Sequence, residues 1–410
     1  MCIRDSKNPL AIRRLADFAL DTWPSDPQNL FIIGKSIHAN NYRRNASNYA
    51  NTLVPSIGNP SCDNLFTAGL NGTLLQPAIP TGRLAAKIPA EVTFYLDKVK
   101  DFEDNAPEAW MKNVLHFGGG TSAVQQSELK NYLKDYEDII EDTLYGGNVY
   151  TFLKTSTAPI QINTSDSLKR LIEGGVSLLT FFGHASGTGF DQSIDQPSNY
   201  DNKGKYPLLL ANSCFAGDLH STGLSSSEKF VIIKDKGVIG YIGSVSLGVP
   251  YALNNFSREF YKQLSYVNYG KGIGKQMQQA ITLSQGSGTD PFQKSACLEM
   301  TLHGDPAVVL NAHVLPDYTI ANSDVSFDTQ SKVDSFTLFA NFTNIGRAIR
   351  DSFFVEVQRR FPNGDIEQVF KRVPAPFFKG SVSFTLPIDF SRGIGLNKIK
   401  VTLDSYLGIN

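Results

Sequence analysis

The sequence contains few cysteines: Cys2, Cys62, Cys214 and Cys297 are the only four in 410 residues. They lie far apart, with no Cys-x-x-Cys pair and no Cys/His cluster at zinc-binding spacing, which argues against a disulfide scaffold and a structural zinc site. The longest apolar run, around residues 176–182, has the length of a strand, whereas about 18 residues are needed to span a bilayer. The first ten residues also lack the apolar segment of a signal peptide.

An excess of charge of one sign is missing as well. Lys and Arg number 38 and Asp and Glu 39, for a net charge of -1, which removes the main argument for a nucleic-acid partner or a polybasic membrane contact. Hydrophobic residues make up 41 % and charged residues 19 %, the composition of a folded chain. The abrupt start and the strand-like pattern at the end predict a fragment of a longer protein, so the termini do not indicate localisation.

Apolar strands alternate with helices between residues 110 and 310. We predict strands at residues 113–117, 148–153, 176–182, 206–212 and 238–243, with a last short strand at 306–310. Unbroken apolar strands between helices indicate a mostly parallel sheet covered on both faces, which is a doubly wound α/β fold. Upstream, a strand at 29–34 and an amphipathic helix at 89–104 are expected.

The pattern changes near residue 316 to strands with alternating apolar and polar residues, separated by Gly- and Asn-containing turns. This alternation predicts an immunoglobulin-like β-sandwich that is incomplete in this chain. The expected units are therefore residues 1–109, an N-terminal subdomain, residues 110–315, a catalytic α/β subdomain, and residues 316–410, the sandwich.

Two reactive residues follow predicted strands of the α/β unit. His184 follows the strand at 176–182, and Cys214 follows the strand at 206–212. Ligand sites of parallel sheets lie at the carboxyl ends of the strands, and a cysteine nucleophile needs a neighbouring base or cation. If the two strands are neighbours, the residues form a Cys-His dyad. The turn after Cys214 and the amides from Ala185 onward are then candidate oxyanion donors.

The alternative is that Cys214 is a buried apolar residue and His184 a hydrogen-bonded loop residue, and strand-end spacing alone leaves both interpretations open. The other candidate nucleophiles and bases are expected to be structural: His116, His220, His303, Cys62, Cys297 and Ser225 to Ser227. Of these, His220 is expected on a solvated loop and the three serines at the start of a helix. A nucleotide-binding Rossmann domain is disfavoured because no GxGxxG follows the first strand. No GxSxG or GxxxxGK motif is present either.

Four sequence blocks together resemble the gingipain-like C25 cysteine peptidases. They are FFGHASGTGFD at 181–191, YPLLLANSCFAGD at 206–218, the block from 225 to 248 and LHGDPAVVL at 302–310. The resemblance extends from about residue 30 to 310 and implies a caspase-like fold. More narrowly, the chain is similar to the sortase-type C25 proteins of the Bacteroidota type IX secretion system, in which immunoglobulin-like modules follow the C25 domain.

The resemblance implies roles for individual residues. It places the nucleophile on Cys214 and the general base and acid on His184. Oxyanion donors are implied at the Cys214 amide and at the backbone beside the histidine, at Gly183 and Ala185. Lys87 stands where the gingipains carry an acid that supports the histidine, which leaves a third catalytic residue in doubt.

Further residues are implied to bind substrate or ions. Asp97 aligns with the acid that recognises a basic P1 residue, although a solvated helix aspartate paired with a neighbouring lysine is the preferred alternative. The segment of Ser244, Val245 and Ser246 resembles the edge that pairs with the substrate backbone. No cofactor is required, while acidic loops such as the one from Asp191 to Asp195 are weak candidates for structural calcium.

Two functions of different classes follow. The first is a cysteine peptidase or transpeptidase that acts on secreted or cell-surface polypeptides through a thioester, located outside the cell or at the outer membrane, with type IX secretion components as partners. The second is a catalytically silent C25-like scaffold that binds within a secretion complex. Intact Cys214 and His184 favour the first, while Lys87 leaves the second open.

Overall fold

An eight-stranded sheet forms the centre of the α/β part of the chain. The computed structural model describes residues 7–158, 161–162, 166–186, 189–194, 196–285, 290–311, 313–330 and 333–404. The sheet strands are β1 (Leu30–Ile33), β2 (Thr81–Leu84), β3 (Asn113–Gly118), β4 (Asn148–Leu153), β6 (Leu178–Phe182), β10 (Leu208–Asn212), β11 (Gly240–Ser244) and β12 (Met300–His303). Short strands at β5 (Gln161–Ile162), β7 (Ala185–Ser186), β8 (Gly189–Phe190) and β9 (Gln192–Ser193) lie in the loop after β4 and the loop after β6.

The strand order is β1-β2-β12-β11-β10-β6-β3-β4. The five strands from β11 to β4 are mutually parallel, whereas β12 runs antiparallel to β11 and parallel to β2. The predicted strand at residues 306–310 is wrong, because Pro306 lies in a turn after the strand Met300–His303. Strands β1 and β2, from the predicted unit 1–109, join the same sheet as the strands of the predicted unit 110–315.

Alternate side chains of the parallel strands enter two different cores. Leu178 and Phe182 of β6 pack into one buried cluster, while Leu179 and Phe181 pack into the other on the opposite face. Both faces are covered, so every position of the strand is buried. This explains why these strands are apolar throughout and do not alternate.

Helices cover both faces of the sheet. Their bounds are α1 (Pro9–Thr22), α2 (Ala39–Tyr42), α3 (Ala46–Asn51), α4 (Pro89–Glu103), α5 (Ala123–Glu141), α6 (Asp166–Gly174), α7 (Ser226–Val231), α8 (Pro250–Lys262), α9 (Ile273–Gln285) and α10 (Pro291–Glu299). Side-chain caps fix several starts: Ser122 caps α5, and Ser225 forms a capping box with Glu228 at α7. The predicted helix start at the serine run is confirmed. Among the described residues, no helix is both long and apolar enough to cross a membrane.

The C-terminal part consists of two antiparallel sheets. Their strands are β13 (Tyr318–Thr319), β14 (Val325–Asp328), β15 (Ser335–Asn344), β16 (Ser352–Arg360), β17 (Ile366–Pro374), β18 (Lys379–Pro387) and β19 (Lys398–Leu403). One sheet contains β13, β14, β15 and β18, and the other contains β16, β17 and β19. Leu338 and Phe384 of the first pack in one core with Val355 and Val357 of the second. The predicted alternation of buried and exposed positions along β16 is present.

A buried lysine lies where the C-terminal sheets meet the α/β part. The Lys112 side chain is fully buried and donates a hydrogen bond to the Phe377 carbonyl at 3.0 Å. Nearby, the Ala348 amide donates to the Leu144 carbonyl at 2.9 Å. Burial lowers the pKa of Lys112 from 10.5 to about 7. The unfolded chain therefore binds one more proton than the folded chain between pH 7 and about 10.

This difference predicts a pH-dependent stability. The free energy of unfolding should rise with pH across this window, because the ammonium form is disfavoured only in the folded state. Replacing Lys112 with methionine should reduce that slope by up to about 1.4 kcal/mol per pH unit near pH 8.5. Urea unfolding at pH 7, 8, 9 and 10 measures the slope. The exposed Lys130→Met on α5 is the control and should keep it. An unchanged slope in Lys112→Met would contradict the prediction.

Candidate functional site

Strand register brings His184 and Cys214 to one edge of the sheet. Strands β6 and β10 are parallel neighbours, and their last registered pair is Phe182 with Asn212. His184 and Cys214 each follow that pair by two residues. Between them, the Ser213 hydroxyl donates to the Gly183 carbonyl at 2.8 Å. Since paired strands lie about 4.8 Å apart, both residues leave the sheet side by side.

The imidazole of His184 is held by a glutamine. His184 Nε2 lies 3.0 Å from Gln125 Oε1, in the first turn of α5, which follows β3. The same Gln125 oxygen accepts the Thr121 amide at 2.9 Å and the Thr121 hydroxyl at 3.3 Å. The histidine side chain is exposed. Its imidazole is therefore accessible to a substrate and has a defined orientation.

The thiol of Cys214 is held on the other side, by the segment after β11. The Gly248 amide donates to Cys214 Sγ at 3.3 Å. Cys214 Sγ also lies 3.8 Å from the Gly248 carbonyl oxygen, so both backbone groups of Gly248 fix the position of the sulfur. Cys214 is partly exposed, and two exposed apolar side chains flank it: Phe215, 40 % exposed, and Leu247, 66 % exposed.

The turn after Cys214 has an uncommon backbone conformation. Phe215 has a φ of 53°, a left-handed conformation that is rare for a bulky residue and occurs where the surroundings enforce it. The Phe215 amide donates to the Ser246 carbonyl at 2.7 Å, and the Gly217 amide donates to the Ser244 carbonyl at 2.8 Å. A Cβ at Gly217 would lie 2.2 Å from the Gly243 carbonyl oxygen. The end of β11 therefore determines the path of the chain at Cys214.

A buried carboxylate fixes the loop of His184. Asp191 Oδ1 accepts the His184 amide at 3.2 Å, and Oδ2 accepts the Gly120 amide at 2.9 Å. Oδ2 also lies 3.3 Å from Lys154 Nζ, in an ion pair whose side chains are 6 % and 0 % exposed. A Cβ at Gly119 would lie 2.1 Å from Asp191 Oδ1, so the carboxylate can approach only a glycine there. Asp191 thus joins the triple-glycine turn to the histidine loop.

Among the described residues, no hydrogen bond joins the thiol and the imidazole. Gln125 lies on the β3 side of His184, and Gly248 lies on the β11 side of Cys214, so each group has its own partner across a shared opening. Hydrogen bonds of catalytic groups are often long or absent without substrate and form in the complex. The structure brings the two residues to one edge, and their pairing as a dyad stays a prediction.

One of the two oxyanion donors predicted beside His184, Gly183, needs correction. The Gly183 amide donates to the Asn212 carbonyl at 3.3 Å as part of the sheet, so it is not available to a substrate. Ala185 begins the two-residue strand β7 opposite Phe190, and its role as an oxyanion donor stays a prediction. The Cys214 amide, in contrast, has no hydrogen-bond partner within the described ranges. It remains a predicted oxyanion donor.

The predicted substrate edge is also used internally. The carbonyls of Ser244 and Ser246 accept the amides of the Cys214 turn, and the Val245 amide donates to the Glu299 carbonyl at 3.0 Å. The Ser246 amide donates to the Ser244 hydroxyl at 3.1 Å. These backbone groups thus hold the turn after Cys214 and the end of α10, and the pairing of the three residues with a substrate backbone stays a prediction.

Asp97 lies away from the site. It is exposed on α4, and its charge acts on Lys203, which precedes β10 at the amino end of that strand, opposite to Cys214. The structure thus separates Asp97 from the thiol. Its expected partner Lys98 instead donates to the Val231 carbonyl at 2.8 Å and the Lys236 carbonyl at 2.9 Å.

Lys87 belongs to a buried charge cluster that does not contact His184. Its Nζ lies 3.2 Å from Glu228 Oε1, and Lys35 Nζ lies 2.9 Å from Glu228 Oε2. Burial opposes ionisation of Glu228, but the charge and hydrogen bond of Lys35 outweigh burial and hold its pKa below the usual value. Lys35 also donates to the Leu219 carbonyl at 2.9 Å. The cluster therefore anchors the loop after Cys214 to the N-terminal strands.

The three other histidines considered as candidates are structural. His116 contacts Tyr261 at 2.8 Å in the core, and the His303 ring accepts the Ala85 amide at 3.1 Å. The expectation of a solvated His220 is wrong: it is fully buried and hydrogen-bonded to Ser36. Burial lowers the pKa of His116, His220 and His303 to about 3, so these three rings are neutral at neutral pH.

The thiols of Cys62 and Cys297 are structural too. Cys62 and Cys297 are buried as expected, and burial raises the pKa of both thiols. Cys2 lies outside the described residues.

No metal centre is evident in the part of the chain that the structure describes, where no three His, Cys, Asp or Glu side chains cluster. Of the two acids named for calcium, Asp191 already pairs with Lys154, while Asp195 lies outside the described residues.

Residues 4–311 match the family model of peptidase family C25. The chain belongs to peptidase family C25. A curated relative of this C25 chain, Lys-gingipain W83 of Porphyromonas gingivalis, is 26 % identical over 192 residues, which are 44 % of this chain and 10 % of that protein. The C25 chain therefore aligns with about a tenth of the length of that relative.

Solved structures show the same fold. The C25 chain resembles the crystal structure of gingipain R, an Arg-specific cysteine proteinase, with a TM-score of 0.59, 13 % identity and coverage of 96 % of this chain and 88 % of that one. A complex of RgpB pro- and mature domains from Porphyromonas gingivalis is similar, at a TM-score of 0.59, 13 % identity and coverage of 96 % and 89 %. The predicted fold class, a caspase-like α/β unit followed by an all-β unit, is confirmed.

Sequence reasoning missed Gln125 as a partner of His184. The pattern Ser122-x-x-Gln125 is a capping-box signature and marks the start of α5. It does not show that the amide turns toward a loop 59 residues downstream. Only the parallel pairing of β3 with β6 brings the helix start and the histidine together.

Proposed function

We propose that this C25 chain is a cysteine peptidase of the gingipain type, with Cys214 as nucleophile and His184 as general base and acid. The main support is the strand register, with the 2.8 Å contact between Ser213 and Gly183, which sets both residues at one sheet edge. The Gly248 amide, 3.3 Å from the sulfur, holds the Cys214 side chain in a defined position at this edge.

The chemistry that follows is acyl transfer. The thiol proton passes to the imidazole, and the thiolate attacks the scissile carbonyl carbon while the Cys214 amide donates to the developing oxyanion. The carbon–nitrogen bond then breaks, the imidazolium gives its proton to the leaving amine, and a thioester remains on Cys214. Water, deprotonated by His184, attacks the thioester and releases the acid and the thiol.

The same thioester permits transpeptidation. When an amine takes the place of water at the thioester carbonyl, a new amide bond forms and the thiol is released. We propose both outcomes on secreted or cell-surface polypeptides. The sequence resemblance to sortase-type C25 proteins supports this, as well as a location outside the cell or at the outer membrane and partners within the type IX secretion system. Product analysis with and without an added amine separates the two outcomes.

A catalytically silent scaffold is the competing function. It would not require an accessible imidazole with a defined partner or a backbone amide aimed at a partly exposed thiol. Lys87, the residue that left the scaffold function open, pairs with Glu228 and does not contact His184. The observed contacts therefore favour the enzyme.

Labelling with a peptidyl ketone that alkylates active-site thiols tests the proposal. We expect Cys214 to react at least about tenfold faster than Cys62 and Cys297, because its thiol is accessible and near an amide donor whereas theirs are buried. Mass mapping after a short exposure measures the three rates. In the His184→Asn variant, the labelling rate of Cys214 should fall, while its greater accessibility still favours it over the two buried thiols. Equal labelling of all three thiols, or none at Cys214 in the folded protein, would overturn the assignment.

A further inference from the structure

We infer that Gln125 is a positioning residue for His184: its side-chain oxygen keeps the imidazole proton on Nε2 and leaves Nδ1 as the nitrogen that exchanges a proton with the Cys214 thiol. This inference rests on the proposed function. It supplies the supporting group that the sequence left in doubt at Lys87, and that group is a neutral amide in place of an acid.

The orientation of the glutamine amide is fixed by its other partner. A backbone N–H is always a donor, so the Thr121 amide, 2.9 Å from the Gln125 side chain, requires an oxygen there. The Thr121 hydroxyl, at 3.3 Å, approaches the same atom. The atom 3.0 Å from His184 Nε2 is therefore an acceptor. A neutral imidazole has one N–H and one lone pair, so Nε2 carries the hydrogen.

The helix start makes Gln125 a rigid support. Ser122 caps α5 by accepting the Gln125 amide at 3.3 Å, which places Gln125 at the third helical position. A glutamine there normally turns back toward the backbone amide at the cap, and here it reaches the preceding residue, Thr121. The adjacent Gly120 amide is held by Asp191, which also holds the His184 amide. The same carboxylate thus fixes the backbone on both sides of the glutamine–histidine contact.

The proton path follows from this tautomer. The Cys214 S–H bond breaks and its proton forms an N–H bond at Nδ1, giving an imidazolium whose Nε2–H still donates to Gln125. The Nδ1 proton then passes to the leaving amine, which restores the neutral Nε2–H form. Because Gln125 is neutral, it orients the ring without the electrostatic stabilisation of the imidazolium that a carboxylate would provide.

The test compares three variants of the full chain. Gln125→Met removes the acceptor at nearly constant volume. Gln125→Glu keeps an acceptor and adds a charge. Gln126→Met makes the same apolar change one position along the helix, where the glutamine donates to Gly120 and Ser156 but does not touch His184. The readouts are the ¹⁵N chemical shifts of His184 in selectively labelled protein and the pH profile of kcat/KM.

In Gln125→Met, we expect His184 to lose its Nε2–H preference and kcat/KM to fall about 10- to 100-fold, mostly through kcat. In Gln125→Glu, the tautomer should persist, while the added negative charge stabilises the imidazolium and moves the acidic limb of the profile up by about one pH unit. Gln126→Met should keep the tautomer of His184 and the positions of both limbs of the pH profile. An unchanged tautomer in Gln125→Met would overturn the inference. The ¹⁵N readout needs no turnover. If the parent chain cleaves no peptide but Gln125→Met still changes the tautomer of His184, the proposed peptidase function is refuted while the positioning role of Gln125 stands.

Discussion

Replacing Cys214 with alanine is expected to reduce peptide cleavage by about 10⁴-fold or more while leaving the fold unchanged. The reason is that the substitution removes the only atom of the site able to form the thioester, and loss of a nucleophile is among the costliest single changes in covalent catalysis. The side chain is partly exposed, so its truncation leaves no large buried cavity.

Steady-state cleavage of an unstructured polypeptide, with the thermal melt of each variant, measures this effect. The matched control is Cys297→Ala, which removes a buried thiol elsewhere and should keep most of the activity despite some loss of stability. A Cys214→Ala protein that cleaves at the rate of the parent would show that another group forms the acyl-enzyme. It would also remove the role given to the Gly248 amide.

Replacing Asp191 with asparagine is expected to lower the free energy of unfolding by about 3–5 kcal/mol, because Lys154 is left charged and buried without a counter-ion. Activity should fall as well, since the carboxylate ties the His184 amide to the triple-glycine turn. Urea unfolding and kcat/KM at one pH measure the two effects.

A double-mutant cycle isolates the ion pair. Asp191→Asn combined with Lys154→Met removes both charges. The double variant should recover a substantial part of the stability that Asp191→Asn alone loses. The comparison pair is Lys203 with Asp235, whose side chains are 61 % and 39 % exposed and whose removal should cost at most about 1 kcal/mol. If Asp191→Asn also lowers the free energy of unfolding by no more than about 1 kcal/mol, the expectation for a buried ion pair between Asp191 and Lys154 is contradicted.

The parallel strands could be predicted because their apolar runs reflect burial on both faces. The order of the strands could not, since it depends on contacts between distant parts of the chain. β12 escaped detection because it is only four residues long and directly follows α10. Within the C-terminal part, the alternation is weakest in β17, because most of its positions are partly or fully exposed and can be polar.

The site was predictable only in part, for a related reason. His184 and Cys214 were found because each follows an apolar strand, a feature visible in the sequence. The partners of these side chains, Gln125 and Gly248, come from segments whose placement depends on sheet order. Sequence similarity likewise cannot show that the carbonyls of Ser244 and Ser246 already accept hydrogen bonds from the turn after Cys214.

Lys112, buried against the Phe377 carbonyl, links the attachment of the C-terminal sheets to proton release. Separating the two parts would return its ammonium group to water, where the charged form is stable, so docking at neutral to alkaline pH expels a proton from this one side chain. Between pH 7 and about 10, a rise in pH therefore favours the docked arrangement of the C-terminal sheets over the separated one.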